Sequence, residues 1–273
     1  MPLFSDQTGR TVDIERSSRI VSIVPSLTEL LFDLGLDKEV VGITKFCVHP
    51  DSWFRNKKRV GGTKQLHLDA IRALQPELII ANKEENVKEQ VEELAKIFPV
   101  WTSDINDLQS ALDAIRIIGE MTGKVNEASD LVKKITAAFK HIEEKFLHGS
   151  KNVIRSAYLI WQEPYMTAGG DTFINDMMQY AGFENVFKYK DRYPVVTIDE
   201  IISAGCEVLL LSSEPFPFKE KHKAALEEIL SQTAVLLVDG EIFSWYGSRL
   251  LKAPSYFEQL QRQALSLIHA GTR

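Results

Sequence analysis

The residues with the clearest chemical use in this sequence are large aromatic rings placed at or just past strand-like apolar runs. Trp161 closes the run 156–161 and Tyr165 follows it; Phe216 follows the run 208–211; Trp245 and Tyr246 follow the run 235–238. Exposed loops favour small polar residues, so rings in these places fit a concave, mostly apolar binding site with a few polar anchors. Lys83, Gln162, Arg192 and Arg249 are the anchors that the loops offer. The same rings are also compatible with simple caps over the sheet edges.

Other constellations are weaker. Cys47 and His49 supply two soft ligands, with His67, Glu84 and Glu85 as the nearby additions. A structural metal needs three or four ligands at matched spacing, so no metal site is assigned. The sequence lacks G-x-S-x-G, H-E-x-x-H, the phosphate-loop pattern and G-x-G-x-x-G, so no catalytic residue is assigned and an enzyme is not expected. The stretch 60–64 (VGGTK) reads as a turn that uses glycine torsions. Asp69 and Asp199 each stand near the start of an expected helix, where a carboxylate complements the helix dipole. Alternatively they form a matched pair of acidic knobs for docking a partner that carries arginines.

These side chains need elements to position them. Strand-like runs at 20–24, 40–44, 78–81, 99–101, 156–161, 208–211 and 235–238 alternate with helical runs. Such alternation predicts an α/β fold with parallel sheets, in which ligands sit beyond the carboxyl ends of the strands. Ser26 or Thr28 is expected to cap the first helix, with Glu29 completing a capping box. The stretch 45–66 is expected to be one long irregular, functional loop. Two halves share a plan: Asp69 and Glu77 bracket a helix and turn before one strand, and Asp199 and Glu207 do so before another. That agreement predicts an internal duplication. Between the halves, apolar residues at helical spacing fill 107–147, divided at Gly119 and Gly123. The longer helix, over 125–147, would be about 35 Å long.

Composition narrows the functions. The chain has 273 residues, 44% of them hydrophobic, with a net charge of −6. The acidic balance argues against a nucleic-acid partner. No apolar run approaches the roughly 20 residues that span a bilayer. The first residues carry neither a basic segment nor an apolar one, so no secretory leader is expected as written. A periplasmic or lipid-anchored location is expected if a leader was removed, and a cytoplasmic one if the chain is complete. Cys47 and Cys206 are expected to be free thiols.

The stretch 19–29 (RIVSIVPSLTE) resembles the opening of the helical-backbone substrate-binding proteins of ABC importers, the class that takes vitamin B12, haem and ferric siderophores. The stretches 41–44, 60–62, 68–71, 75–81, 167–170 and 181–187 match that family's pattern in order. The resemblance implies two similar α/β lobes with parallel-rich sheets, joined by one long interlobe helix, with the ligand in a cleft between the lobes. It implies lobes at 1–106 and 150–273, with the helical segment at 107–149. It places Phe46, His49, Trp161 and Trp245 where a B12-binding relative has ring residues. The expected ligand-binding set is therefore Phe46, His49, Lys83, Trp161, Tyr165, Arg192, Phe216, Trp245, Tyr246 and Arg249. Asp69 and Asp199 fall where the family has glutamates that dock on the importer's membrane subunits, although aspartate is one methylene shorter. The implied protein is a monomer with no cofactor of its own. Its ligand would be a corrinoid first, haem or a ferric siderophore next. The alternatives are a zinc or manganese receptor of the same fold and a cytoplasmic corrinoid or iron-chelate carrier.

Overall fold

The computed structural model describes residues 3–15, 17–146 and 153–271. It divides into two compact units, each with its own parallel-rich sheet and core. Unit 1 comprises Met1–Ile105, Gln109–Lys134 and Tyr246–Arg249; unit 2 comprises Asn106–Leu108, Ile135–Trp245 and Leu250–Arg273.

Unit 1 opens with an antiparallel hairpin of β1 (Leu3–Ser5) and β2 (Thr11–Asp13). Next come β3 (Ile20–Ser22), α1 (Pro25–Asp33), β4 (Val40–Ile43), α2 (Asp51–Asn56) and β5 (Lys58–Arg59). A small hairpin of β6 (Gly61–Gly62) and β7 (Gln65–Leu66) leads to α3 (Leu68–Leu74), β8 (Leu78–Asn82), α4 (Lys88–Ala95) and β9 (Val100–Ser103). The main sheet runs β5-β4-β3-β8-β9, and every pair is parallel. Helices α5 (Leu108–Met121) and α6 (Val125–Phe146) follow, and α6 passes from unit 1 into unit 2 at Lys134 and Ile135.

Unit 2 continues with β10 (Ile154–Trp161), β11 (Met166–Thr167), α7 (Phe173–Tyr180), β12 (Phe183–Asn185), α8 (Ile198–Ser203) and β13 (Val208–Ser212). It ends with α9 (Glu220–Ile229), β14 (Ala234–Val238), α10 (Gly240–Ser244), a 3-10 turn at Ser248–Leu251 assigned across both units, and α11 (Ala253–Gly271). In this sheet β12, β10, β13 and β14 lie side by side and parallel, with β11 antiparallel on β10.

The expected duplication is visible in each sheet taken by itself. The order β4-β3-β8-β9 in one corresponds to β12-β10-β13-β14 in the other. The same clamp recurs at the foot of each. Glu77 N–H donates to Arg19 O and Glu207 N–H donates to Arg155 O, both at 2.8 Å. The guanidinium of Arg19 binds Leu74 O, and that of Arg155 binds Ala204 O and Gly205 O. The central strands are buried on both faces, which is why they read as unbroken apolar runs. Their inner faces build the two cores, around Val21, Ile23, Ile79 and Ala81 in unit 1 and around Ala157, Leu159, Leu209 and Leu211 in unit 2.

Several local expectations are corrected. Pro25 occupies the first position of α1, where its missing N–H costs nothing, and Val24 is an N-cap with no side-chain bond. Ser26 therefore lies inside the helix, and Glu29 pairs elsewhere. The stretch 45–66 is not one loop, since it contains α2, β5 and the β6–β7 hairpin. Gly119 does not break α5: a Cβ there would come within 2.4 Å of the Ala128 Cβ, so this glycine lets α5 and α6 approach. The break is at Gly123, whose φ of +70° suits glycine. The long helix ends at Phe146, and the expected Leu147 terminus lies outside the described residues.

Candidate functional site

The parallel strands of unit 2 end in loops that bring three of the expected rings together. Trp161, the last residue of β10, remains 39% exposed. Its ring meets Phe216 edge-on at 5.7 Å, and Phe216 packs in turn on Phe218 at 4.8 Å. Tyr165 is half-buried and rests with Phe216 against the core of the unit. His222 joins the cluster, 5.3 Å from Phe216 and 5.7 Å from Phe218. Its Nδ1 accepts the Lys219 backbone N–H at 2.9 Å, so the neutral ring carries its proton on Nε2. Partial burial, then the charges of Lys221 and Lys219, holds this imidazole below its ordinary pKa, which favours the neutral form.

Arg192 is held nearby in sequence by backbone geometry. Its φ is +57°, and its N–H donates to Asp171 Oδ1 at 2.6 Å. Gly169 and Gly170 make this loop fit, because a Cβ at either would come within 2.3 Å of the Lys190 or Lys188 carbonyl oxygen. The guanidinium stays about half exposed, 5.7 Å from the Tyr193 ring centroid.

Trp245 departs from the expected exposed ring. It is 7% exposed, and its Nε1–H donates to Glu214 Oε1 at 2.8 Å. Ser244 Oγ donates to the same oxygen at 2.6 Å. Burial pushes the Glu214 carboxyl up, opposed by the Ser244 bond. Trp245 is thus a fixed support of this loop.

In unit 1, Phe46 follows β4, is 51% exposed, and lies under the Lys45 ammonium at 5.1 Å. His49 is partly exposed before Pro50. Lys83 follows β8 and pairs with Asp104 at 2.6 Å while staying largely exposed. Behind it, Asn82 Oδ1 accepts the N–H groups of Glu84 and Glu85, which shapes the turn. Tyr246 and Arg249 do not present ligand groups here. Tyr246 is buried, with its hydroxyl 2.8 Å from Glu85 Oε1. Arg249 is 7% exposed and forks onto both Glu29 oxygens at 2.8 Å. A guanidinium committed in this way is a structural clamp.

The structure does not gather Cys47, His49 and His67. Among the described residues no three acidic, histidine or cysteine side chains come together as a metal-binding group. Cys47 is fully buried, with its sulfur 3.1 Å from Thr28 Oγ1 and 3.2 Å from Thr44 Oγ1, and burial raises its pKa. Cys206 is buried as well, its thiol pushed up to about 12 by burial, and both cysteines are free. Asp69 and Asp199 stand in the first turns of α3 and α8 and are exposed. Asp69 binds Arg72 at 2.8 Å. Sequence reasoning missed His222, Lys219, Glu214, Glu85 and Glu29 as shaping residues. The signal for the first two was the cluster FPFKEKH directly after a strand run.

Residues 20–237 match the periplasmic binding protein family, and the chain belongs to it. It is 24% identical to a vitamin B12-binding protein of Vibrio campbellii over 198 residues, 72% of this chain and 71% of the relative. It is 25% identical to an uncharacterised ABC transporter substrate-binding lipoprotein of Bacillus subtilis over 257 residues, 90% of this chain and 81% of the other. The solved structure of a periplasmic haem-binding protein from Pseudomonas aeruginosa superposes with a TM-score of 0.78 at 18% identity, covering 89% of this chain and 92% of that one. The family is one of binding proteins.

Proposed function

We propose that this chain is the substrate-binding protein of an ABC-type importer and that it captures a bulky metal chelate, a corrinoid or haem, with ferric siderophores next. The observation that carries this reading is the exposed Trp161 ring held edge-on by half-buried Phe216, at the carboxyl end of a parallel sheet. A ring held edge-on by a second ring loses little freedom on binding and offers a broad apolar face. The relatives named for vitamin B12 and haem support the same ligand class. Phe46, His49 and Lys83 in unit 1 and Arg192 in unit 2 are the further groups with exposed surface in the loops that follow strands. The chain itself supplies no cofactor and acts as a monomer. Asp69 and Asp199, each exposed in a first helical turn, are the docking points for the importer's membrane subunits. Reversing both charges is expected to leave chelate affinity unchanged and to abolish uptake in cells carrying the cognate importer.

Isothermal titration with cyanocobalamin, haemin and a ferric hydroxamate tests the ligand class. Saturation by at least one of them, at one ligand per chain, is the expected result. No saturation by any of the three would refute it.

A further inference from the structure

The ring cluster of unit 2 has one charged side. Lys219 and Lys221 precede His222, and neither ammonium has an acidic partner among the described residues. Several other basic groups on this unit are paired with acids: Lys190 with Glu200, Lys188 with Glu184, Arg192 with Asp171, and Lys223 with Glu227. The nearest acidic neighbour in sequence is Glu220, between the two lysines. His222 is locked by its Nδ1 bond to the Lys219 N–H, so it offers Nε2–H as a donor. A nitrogen that bears a proton cannot bind a metal. The cluster is therefore an apolar shelf, Trp161 and Phe216, that ends at the His222 imidazole N–H, and the charges of Lys221 and Lys219 act on that imidazole.

We infer that Lys219, Lys221 and His222 form a carboxylate-binding rim on this shelf, which selects flat conjugated metal chelates with anionic peripheral groups over neutral amide-bearing ones. This inference rests on the chelate-binding reading above. The flat ring stacks on Trp161 and Phe216, and its carboxylates reach the rim. Ammonium and imidazole N–H donors suit a carboxylate, whose charge strengthens each hydrogen bond, whereas a peripheral primary amide offers the same donors only a neutral carbonyl oxygen. His222 acts here as a donor to the ligand's edge and not as an axial ligand to its metal.

The test measures dissociation constants by equilibrium dialysis for haemin, for haemin with both propionates converted to amides, and for cyanocobalamin. The proteins are the wild type and the Lys219→Glu/Lys221→Glu double variant, whose folding is checked by thermal melting. Both lysines are exposed, so the variant is expected to fold. For partly solvated charge pairs the expected loss of haemin affinity on double reversal is about tenfold, since each such contact contributes modestly. The amide form is expected to bind more weakly than haemin and to be insensitive to the reversal. His222→Phe should weaken haemin binding while leaving the Soret band of the complex unchanged, because no metal–nitrogen bond is lost. Equal binding of haemin and its amide, or a double variant that binds haemin as the wild type does, would overturn the rim. Binding of cyanocobalamin without haemin would overturn it as well and leave the chelate-binding reading intact. Binding of none of the three ligands would overturn the rim, and failure of the ferric hydroxamate as well would refute the chelate-binding reading with it.

Discussion

Replacing Arg249 by methionine is expected to destabilise unit 1 by about 3–5 kcal/mol, the usual cost of leaving one member of a buried ion pair without its partner. The geometry places this pair at the strong end of that class. Both nitrogen–oxygen distances are 2.8 Å, and Arg249 and Glu29 are 7% and 9% exposed. A pair at the surface would contribute only about 0–1 kcal/mol. The clamp lies beside Gly247, where a Cβ would meet Leu30 Cβ at 3.2 Å, so the segment Tyr246–Arg249 packs directly on α1. Glu29→Gln keeps an acceptor for the guanidinium and is expected to cost less than Arg249→Met. The double variant Glu29→Leu/Arg249→Met removes both charges and is expected to lie within about 1–2 kcal/mol of the wild type, because neither charge is then buried alone. With the single variant Glu29→Leu closing the cycle, urea denaturation followed by far-UV circular dichroism gives the free energies and the coupling energy. A coupling energy near zero, or a loss below about 1 kcal/mol in Arg249→Met, would show that the pair is solvated and refute the argument.

Other expectations follow from single contacts. Asp176 accepts the Leu108 N–H at 2.8 Å, and burial raises its pKa from 3.8 to about 6. The folded chain then holds this proton at a pH where the unfolded chain has lost it, so the contribution is full below about 4 and falls away as the pH rises through about 6. Asp176→Asn keeps the acceptor and should remove this slope, leaving the variant about 1–2 kcal/mol more stable than the wild type at pH 7 and equal to it at pH 4; urea midpoints at the two pH values decide. The Ser26 and Ser248 hydroxyls are buried with no hydrogen-bond partner among the described residues. Alanine at either is expected to be neutral or to stabilise by about 1 kcal/mol, and a clear loss in thermal melting would contradict that. Gly119→Ala should destabilise by about 1–3 kcal/mol through overpacking against Ala128, although alanine is the better helix former by about 1 kcal/mol; a rise in melting temperature would refute it.

The duplicated strand–helix order was legible because it is written in local periodicity. Runs such as 78–82 and 208–212 are apolar on both faces, and the turns after α3 and α8 each bring a glutamate back to an arginine carbonyl. The candidate site was legible only where exposure follows from position at a strand end, as at Trp161 and Phe216. Trp245, Tyr246 and Arg249 looked the same in sequence. Their burial depends on Glu214, Glu85 and Glu29, which lie 31, 161 and 220 residues away, and no local pattern reports a partner at such a distance. Ser26 illustrates a closer miss. It has the chemistry of a cap, but Pro25 already fits the first helical position, and this moves the cap from Ser26 to Val24.

The most direct test of the central claim is the affinity of Trp161→Ala for haemin and cyanocobalamin beside that of Trp245→Phe. Trp161 offers the exposed ring face and Trp245 is a buried support, so the two substitutions should separate binding from folding. Trp161→Ala is expected to keep the wild-type melting temperature and to lose affinity by about 10- to 100-fold, the range for a central aromatic contact. Trp245→Phe should lower the melting temperature and leave the ligand affinity of the folded protein nearly unchanged. Undiminished chelate binding by Trp161→Ala would contradict the account, because the ligand would then be held somewhere other than on this shelf.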